Sequence, residues 1–278
     1  MRESSESAQR DRGVTLKGNS GLHTIQVGEA GPWVVFCHGL FGQGKNWSQV
    51  AKQLGGRHRV LLPDLPNHGR SVWTDNWDYL GAADRLAREL RSLDGPVALV
   101  GHSMGGKTAM ALALRHPELV ERLVVVDVSP VDYGPAEEFS AYLDAMISLH
   151  LPKYSQRADI AEALRPAVKD DTVRAFLMQN LHFEPGGWVW RPHLAALRRS
   201  LPAISGWPGV QVAAYPPYTG RTLWVAGGRS DYVGDKYAAE MTRLFPRTRR
   251  VTIKQAGHWV HADAPEVFTS VLEQFLDS

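Results

Sequence analysis

The sequence predicts an α/β fold, with a mostly parallel central sheet flanked by helices and a helical cap inserted before the last two strands. Three observations predict it. Short apolar runs of strand length alternate with stretches of helical spacing along most of the chain. The alternation breaks between about residues 129 and 220, where short helical patterns follow one another without a convincing strand. A serine between glycines, Gly101-His102-Ser103-Met104-Gly105, joins one strand-like run to one helical stretch.

Residues 1–13 are polar and charged, lack the apolar region of a signal peptide, and read as a frayed, disordered tail. Residues 22–27 read as an early strand, and the continuous apolar run 33–37 as a central one. Residues 46–54 look helical, 59–62 form the next strand, and 79–93 carry apolar residues at helical spacing (Leu80, Ala83, Leu86, Ala87, Leu90). Residues 97–100 lead as a buried strand into the serine turn, and 107–115 continue as a helix that stops near Pro117. Strand-like runs at 123–126, 223–226 and 250–253 complete the sheet, with helices at 236–244 and 265–276. The expected division is a core from residues 14–128 and 221–278, with the cap at 129–220. The cap is rich in aromatics and is bounded by Pro-Gly and Pro-Pro punctuation.

A length of 278 residues is ample for a large core. The 44% hydrophobic and 22% charged fractions are ordinary for a globular protein. A net charge of +2 is too balanced to argue for a nucleic-acid partner or an anionic membrane. The single cysteine, Cys37, excludes an internal disulfide and sits in an apolar run as a buried, inert thiol. No apolar stretch approaches membrane-spanning length, and a cytoplasmic location is the expectation.

The chemistry starts at Ser103. A serine hydroxyl is a weak nucleophile unless a base lies in hydrogen-bond reach and an acid orients that base. The chain has 11 histidines. His258 is the best-placed base, because it follows the last strand and a glycine that permits a tight turn. His261 competes but precedes Asp263, an N-cap candidate, and reads as packing. His182 and His193 read as cap surface or packing, and His102 faces away from the serine. Asp127 and Asp231 each follow a strand between Ser103 and His258, so either carboxylate could orient the imidazole. A developing oxyanion needs preset donors. The N–H of Met104 is one, and the N–H of Leu40 or Phe41 is the other, with Phe41 favoured. Candidate substrate contacts are Phe41, His102, Tyr142, Phe183, Trp188, Trp190, Tyr232 and Trp259. The run Asp64-Leu65-Pro66-Asn67-His68-Gly69-Arg70-Ser71 reads as a rigid structural turn. No spacing suggests a metal or a cofactor.

Together, His38-Gly39, Asn67-His68-Gly69, the serine turn and Ala256-Gly257-His258 resemble the α/β-hydrolase superfamily in identity and order. Longer runs are similar to the YbfF-like esterases and their mitochondrial relatives. These are His38 to Gly42, Gly101 to Met110, His116 to Leu123 leading to Asp127-Val128-Ser129-Pro130, and Gly257 to Asp263. The resemblance implies an α/β-hydrolase fold and a serine esterase acting on small acyl esters of short to medium chain, with no cofactor. It also implies Asp127 as the acid, with Ser230 as an auxiliary partner. Asp231 is out of register counted back from Val233 but in register counted from Gly228. The same residues could serve a thioesterase or a perhydrolase. A ligand receptor that kept the fold and turns over slowly is the reading from another class.

Overall fold

The computed structural model describes residues 20–278. The expected tail at 1–13 lies outside the described residues. The chain runs β1 (Thr24–Val27), β2 (Trp33–Cys37), α1 (Ser48–Leu54), β3 (Arg59–Pro63), α2 (Tyr79–Leu90), β4 (Val97–His102), α3 (Met104–Arg115) and β5 (Val120–Val126). Between β5 and the next sheet strand come α4 (Glu137–Ser148), α5 (Arg157–Leu164), α6 (Asp171–Met178), β6 (Leu181–Glu184), β7 (Gly187–Trp190), α7 (Leu194–Ser205) and α8 (Gly209–Val212). The chain closes with β8 (Arg221–Gly227), α9 (Ala238–Leu244), β9 (Thr248–Ile253), α10 (Val260–Asp263) and α11 (Pro265–Leu276).

The main sheet has seven strands in the order β1-β3-β2-β4-β5-β8-β9. β1 pairs antiparallel with β3, and every other pairing is parallel. Alternation of side chains along each strand divides the core between the two faces. Val35, Cys37, Leu61, Leu99, Val125 and Trp224 face α2, α3 and the inserted segment. Val34, Phe36, Leu62, Val100, Val124 and Val225 face α1 and α11. The central strands are buried on both faces, which is why they read as unbroken apolar runs. Burial pushes the Cys37 thiol up to about 12, as an inert core thiol requires.

The connections out of β2 and β4 run toward opposite edges of the sheet. Loops at the carboxyl ends of two such strands form the crevice where open α/β sheets bind ligands. The loop after β2 holds Leu40 and Phe41, and the turn after β4 holds Ser103.

One expectation fails in the insert. It contains a two-stranded antiparallel hairpin, with Phe183 opposite Trp188. Its strands are too short to show a period, but Pro185-Gly186-Gly187 was a readable turn signal. Gly187 takes φ +111°, a value closed to most side chains.

Candidate active site

β4 ends at His102, and Ser103 follows with φ 52° and ψ −121° before α3 begins. A non-glycine residue there stores strain of about 1–3 kcal/mol, which the flanking packing must hold. A Cβ on Gly101 would stand 2.3 Å from the Gly105 carbonyl oxygen, and one on Gly105 would stand 2.4 Å from that of Cys37. The glycines therefore let α3 leave the sheet at once, aiming the serine hydroxyl out over the strand ends.

His258 follows β9 on a turn closed by the Gly257 N–H, which donates to Asp263 Oδ2 at 2.7 Å. Asp263 thus clamps this turn; Ala264, not Asp263, occupies the N-cap of α11. His258 Nε2 lies 3.0 Å from Ser103 Oγ, and its Nδ1 lies 2.8 Å from Asp127 Oδ2. Asp127 is fully buried at the end of β5 with φ 50°. Its Oδ1 accepts from the Gly227 N–H at 2.8 Å, and its Oδ2 also accepts from the Ser230 hydroxyl. Asp231 is exposed and forms no hydrogen bond to His258, so of the two candidate acids only Asp127 meets the imidazole.

The far side of His258 is also held. The His102 imidazole donates from Nε2 to the His258 carbonyl at 2.8 Å, and the Tyr232 ring lies 4.4 Å from the His258 ring. Burial keeps His102 neutral, well below the usual imidazole range. His261 instead stacks on Trp47 at 4.1 Å, in the opposite core layer.

The two oxyanion candidates in the β2 loop separate clearly. Phe41 takes φ 62° and spends its N–H on His68 Nε2 at 3.3 Å. The N–H of Phe41, the favoured donor, is therefore already engaged. Leu40, whose N–H has no acceptor among the described residues, lines the cleft beside Ser103 and Met104.

Two cavities meet at the serine. The wider, about 350 Å3, is bounded by Leu40, Met104, Val128, Tyr133, Leu201 and Ile204, with Asp231 and Tyr232 also on its wall. The narrower, about 20 Å3, is closed by Phe41, His102, Tyr142, Phe176, His258 and Trp259. Phe183, Trp188 and Trp190, expected to touch substrate, line neither. They stand on the hairpin, where Phe183 is 69% exposed and both tryptophans pack partly against the core. His182 shares the hairpin, and His193 stacks on Trp73. The richness of the insert in aromatics gave no indication of which of them would face the serine.

Sequence reading also missed Lys107. It lies one helical turn after Ser103, buried, and its ammonium donates to the carbonyls of Val131, Ser205 and Gly206 at 2.9, 2.7 and 2.7 Å. It also sits 4.6 Å above the Tyr133 ring. A lysine in the first turn of a helix whose other residues, up to Arg115 at its end, are small or apolar was the available signal. Burial pulls the amine down to about 7, while the Asp132 carboxylate acts the other way. The ammonium completes the last turn of α7 and ties α3 to the inserted segment. Lys107→Met leaves those three carbonyls without their donor, and urea unfolding should show a loss of about 2–3 kcal/mol.

The chain is also similar to known proteins. A model of the alpha/beta hydrolase family matches residues 34–271. The chain is 41% identical to the mouse (Mus musculus) protein named sn-1-specific diacylglycerol lipase ABHD11, over 88% of this chain and 81% of that one. It is 30% identical to Esterase YbfF of Escherichia coli, over 94% of this chain and all of that protein (100%). Among solved structures, one described as a marine microorganism esterase superposes with a TM-score of 0.87 at 31% identity, covering 91% of this chain and 98% of that one.

Proposed function

The chain belongs to the α/β-hydrolase family and is a carboxylester hydrolase, and from that premise we propose that Ser103, His258 and Asp127 carry the reaction on short- to medium-chain acyl esters. The observation supporting this most directly is the hydrogen-bonded line from Ser103 Oγ through His258 to Asp127, lying where two cavities meet. His258 Nε2 takes the hydroxyl proton as Ser103 Oγ attacks the acyl carbon. The carbonyl oxygen, gaining charge, is held by the N–H groups of Leu40 and Met104. His258 then returns the proton to the departing alkoxide, leaving an acyl-serine. Water, deprotonated by the same imidazole, attacks that ester and releases the acid. Asp127 accepts the Nδ1–H throughout, which leaves Nε2 free to act as base.

The wider cleft takes the acyl chain. At about 350 Å3 it falls at the small end of ligand-binding cavities. Its walls are mostly apolar, with Glu137, Glu138, Asp231 and Lys236 among its lining. Hydrolysis of p-nitrophenyl esters should rise from acetate to a medium chain and fall by decanoate. Ser103→Ala should lose at least about 10³-fold of that activity. Equal rates in wild type and Ser103→Ala would contradict the reading. Because the mouse relative is named a diacylglycerol lipase, a diacylglycerol belongs in the substrate panel.

A further inference from the structure

Phe41 is gripped at both of its peptide groups by buried side chains. Its N–H donates to His68 Nε2 at 3.3 Å, and its carbonyl accepts from Asn180 Nδ2 at 2.7 Å. Both side chains are fully buried. His68 comes from the turn after β3, where its Nδ1–H donates to the Pro66 carbonyl at 2.9 Å, so Nε2 is the acceptor. Asn180 comes from the inserted segment, between α6 and β6. Its amide orientation is fixed by chemistry, because Nδ2 faces two carbonyls, those of Phe41 and Leu177.

The grip has a reason. Phe41 holds a left-handed φ of 62°, which a side chain bearing a ring does not adopt unaided. The turn it completes, closed by the Gly42 N–H donating to the Gly39 carbonyl at 2.9 Å, carries Leu40, which lines the cleft beside Ser103 and whose N–H has no acceptor among the described residues. Neighbouring contacts repeat the tie. Asn46 Nδ2 donates to Gln179 Oε1 at 2.8 Å, and Gln43 Nε2 to the Gln179 carbonyl at 3.4 Å. Asn180 itself lines neither cavity.

We propose that Asn180 is a positioning residue that couples the inserted segment to the oxyanion donor. It holds the Phe41 carbonyl, and so sets the Leu40 N–H in its working direction while the segment is docked. The proposal rests on the serine-hydrolase reading above. It follows that Asn180 acts on the transition state and leaves ground-state binding nearly untouched. Deleting an oxyanion donor outright costs about 10²–10³ in kcat, and loosening one should cost less, about 10–100-fold.

The test compares Asn180→Ala and Asn180→Asp with wild type on p-nitrophenyl butyrate, with Gln179→Ala and Ser103→Ala as controls. Asn180→Ala should lower kcat about 10–100-fold with KM within about twofold. Asn180→Asp, which sets a carboxylate against the Phe41 carbonyl, should be at least as slow. Gln179→Ala, which removes the Asn46 contact but spares the Phe41 carbonyl, should lose much less kcat than Asn180→Ala. A charged phosphonate transition-state analogue should lose affinity in parallel with kcat, while the product carboxylic acid should not. If Asn180→Ala is folded by circular dichroism and keeps its kcat, or loses only KM, the proposal is wrong. If Asn180→Ala unfolds, Asn180→Asp decides by the same split of kcat against KM. Should both unfold, the residue is structural and the proposal falls. If Ser103→Ala hydrolyses like wild type, the serine-hydrolase reading fails and takes this one with it.

Discussion

Asp127→Asn is expected to lower kcat by about 10⁴-fold, while Asp231→Asn leaves it within about twofold. The difference follows from what each carboxylate touches. Asp127 accepts three hydrogen bonds, from the Gly227 N–H, the Ser230 hydroxyl and His258. In the asparagine variant the Gly227 N–H still needs an acceptor, so the amide oxygen turns to it. The NH2 group then faces His258 Nδ1 and donates to it. That forces the imidazole proton onto Nε2, the nitrogen that must be empty to deprotonate Ser103. The fold should survive, since the shape at 127 is kept, and unchanged thermal unfolding would show that the loss is chemical. Asp231 makes no such contact and is exposed. Steady-state kinetics on one ester with both variants checks the pair. Collapse of Asp231→Asn with Asp127→Asn intact would reverse the assignment.

Acid is expected to unfold the protein well before its carboxylates are neutralised. His38, His68 and His102 are all buried, and burial pushes each imidazole down, His68 to about 3. In the unfolded chain these groups return to an ordinary value near 6.5. Below that pH the unfolded state binds more protons than the folded one, so stability falls as pH falls. Their contribution is fully present above about pH 6.5 and is lost progressively toward pH 3 for His68. Each imidazole that cannot charge costs about 1.4 kcal/mol per pH unit. His68 and His261, which burial also pulls down to about 3, together give a slope of about 3 kcal/mol per unit once the unfolded chain is protonated, and His38 and His102 steepen it. Burial raises the Asp64 carboxyl, but the His23 hydrogen bond and the N–H groups of Arg70 and Gly44 outweigh it and hold the group below its usual range, so it adds to the loss only nearer pH 3.8 and below. Urea unfolding at pH 7.5, 6.5, 5.5 and 4.5 measures the slope. A flat profile between pH 7 and 5 would contradict the neutral, buried state of these rings.

Much of this molecule was legible in its sequence, and the gaps have physical causes. Strands buried on both faces announce themselves as apolar runs, and the central strands were placed that way to within a few residues, while the edge strands β1 and β9 are only partly buried and carry polar residues. The strand–serine–helix turn and the last-strand histidine are local patterns, so Ser103 and His258, which the structure places within hydrogen-bond distance, could be singled out as candidates directly. The acid was harder, because Asp127 and Asp231 both follow strands and counting residues does not show which loop turns inward. Asp127 reaches His258 because its φ of 50° bends the chain at the end of β5, a conformation no local motif announces. Aromatic content identified the insert but not the facing of its rings. Tyr142 lines a cavity, while Phe183 stands on a hairpin that sequence spacing did not reveal. Lys107, His68 and Asn180 matter through partners remote in sequence, and those pairings exist only once the chain has folded.

The central claim is that a nucleophilic Ser103, activated by His258, forms an acyl-enzyme. The most direct test is to react the protein with a slowly hydrolysed phosphonate ester and map the adduct by peptide mass spectrometry. A single adduct on the peptide carrying Ser103, with esterase activity lost in proportion to labelling and neither labelling nor activity in Ser103→Ala, is the predicted result. Stoichiometric labelling elsewhere, or full activity after Ser103 is modified, would contradict it.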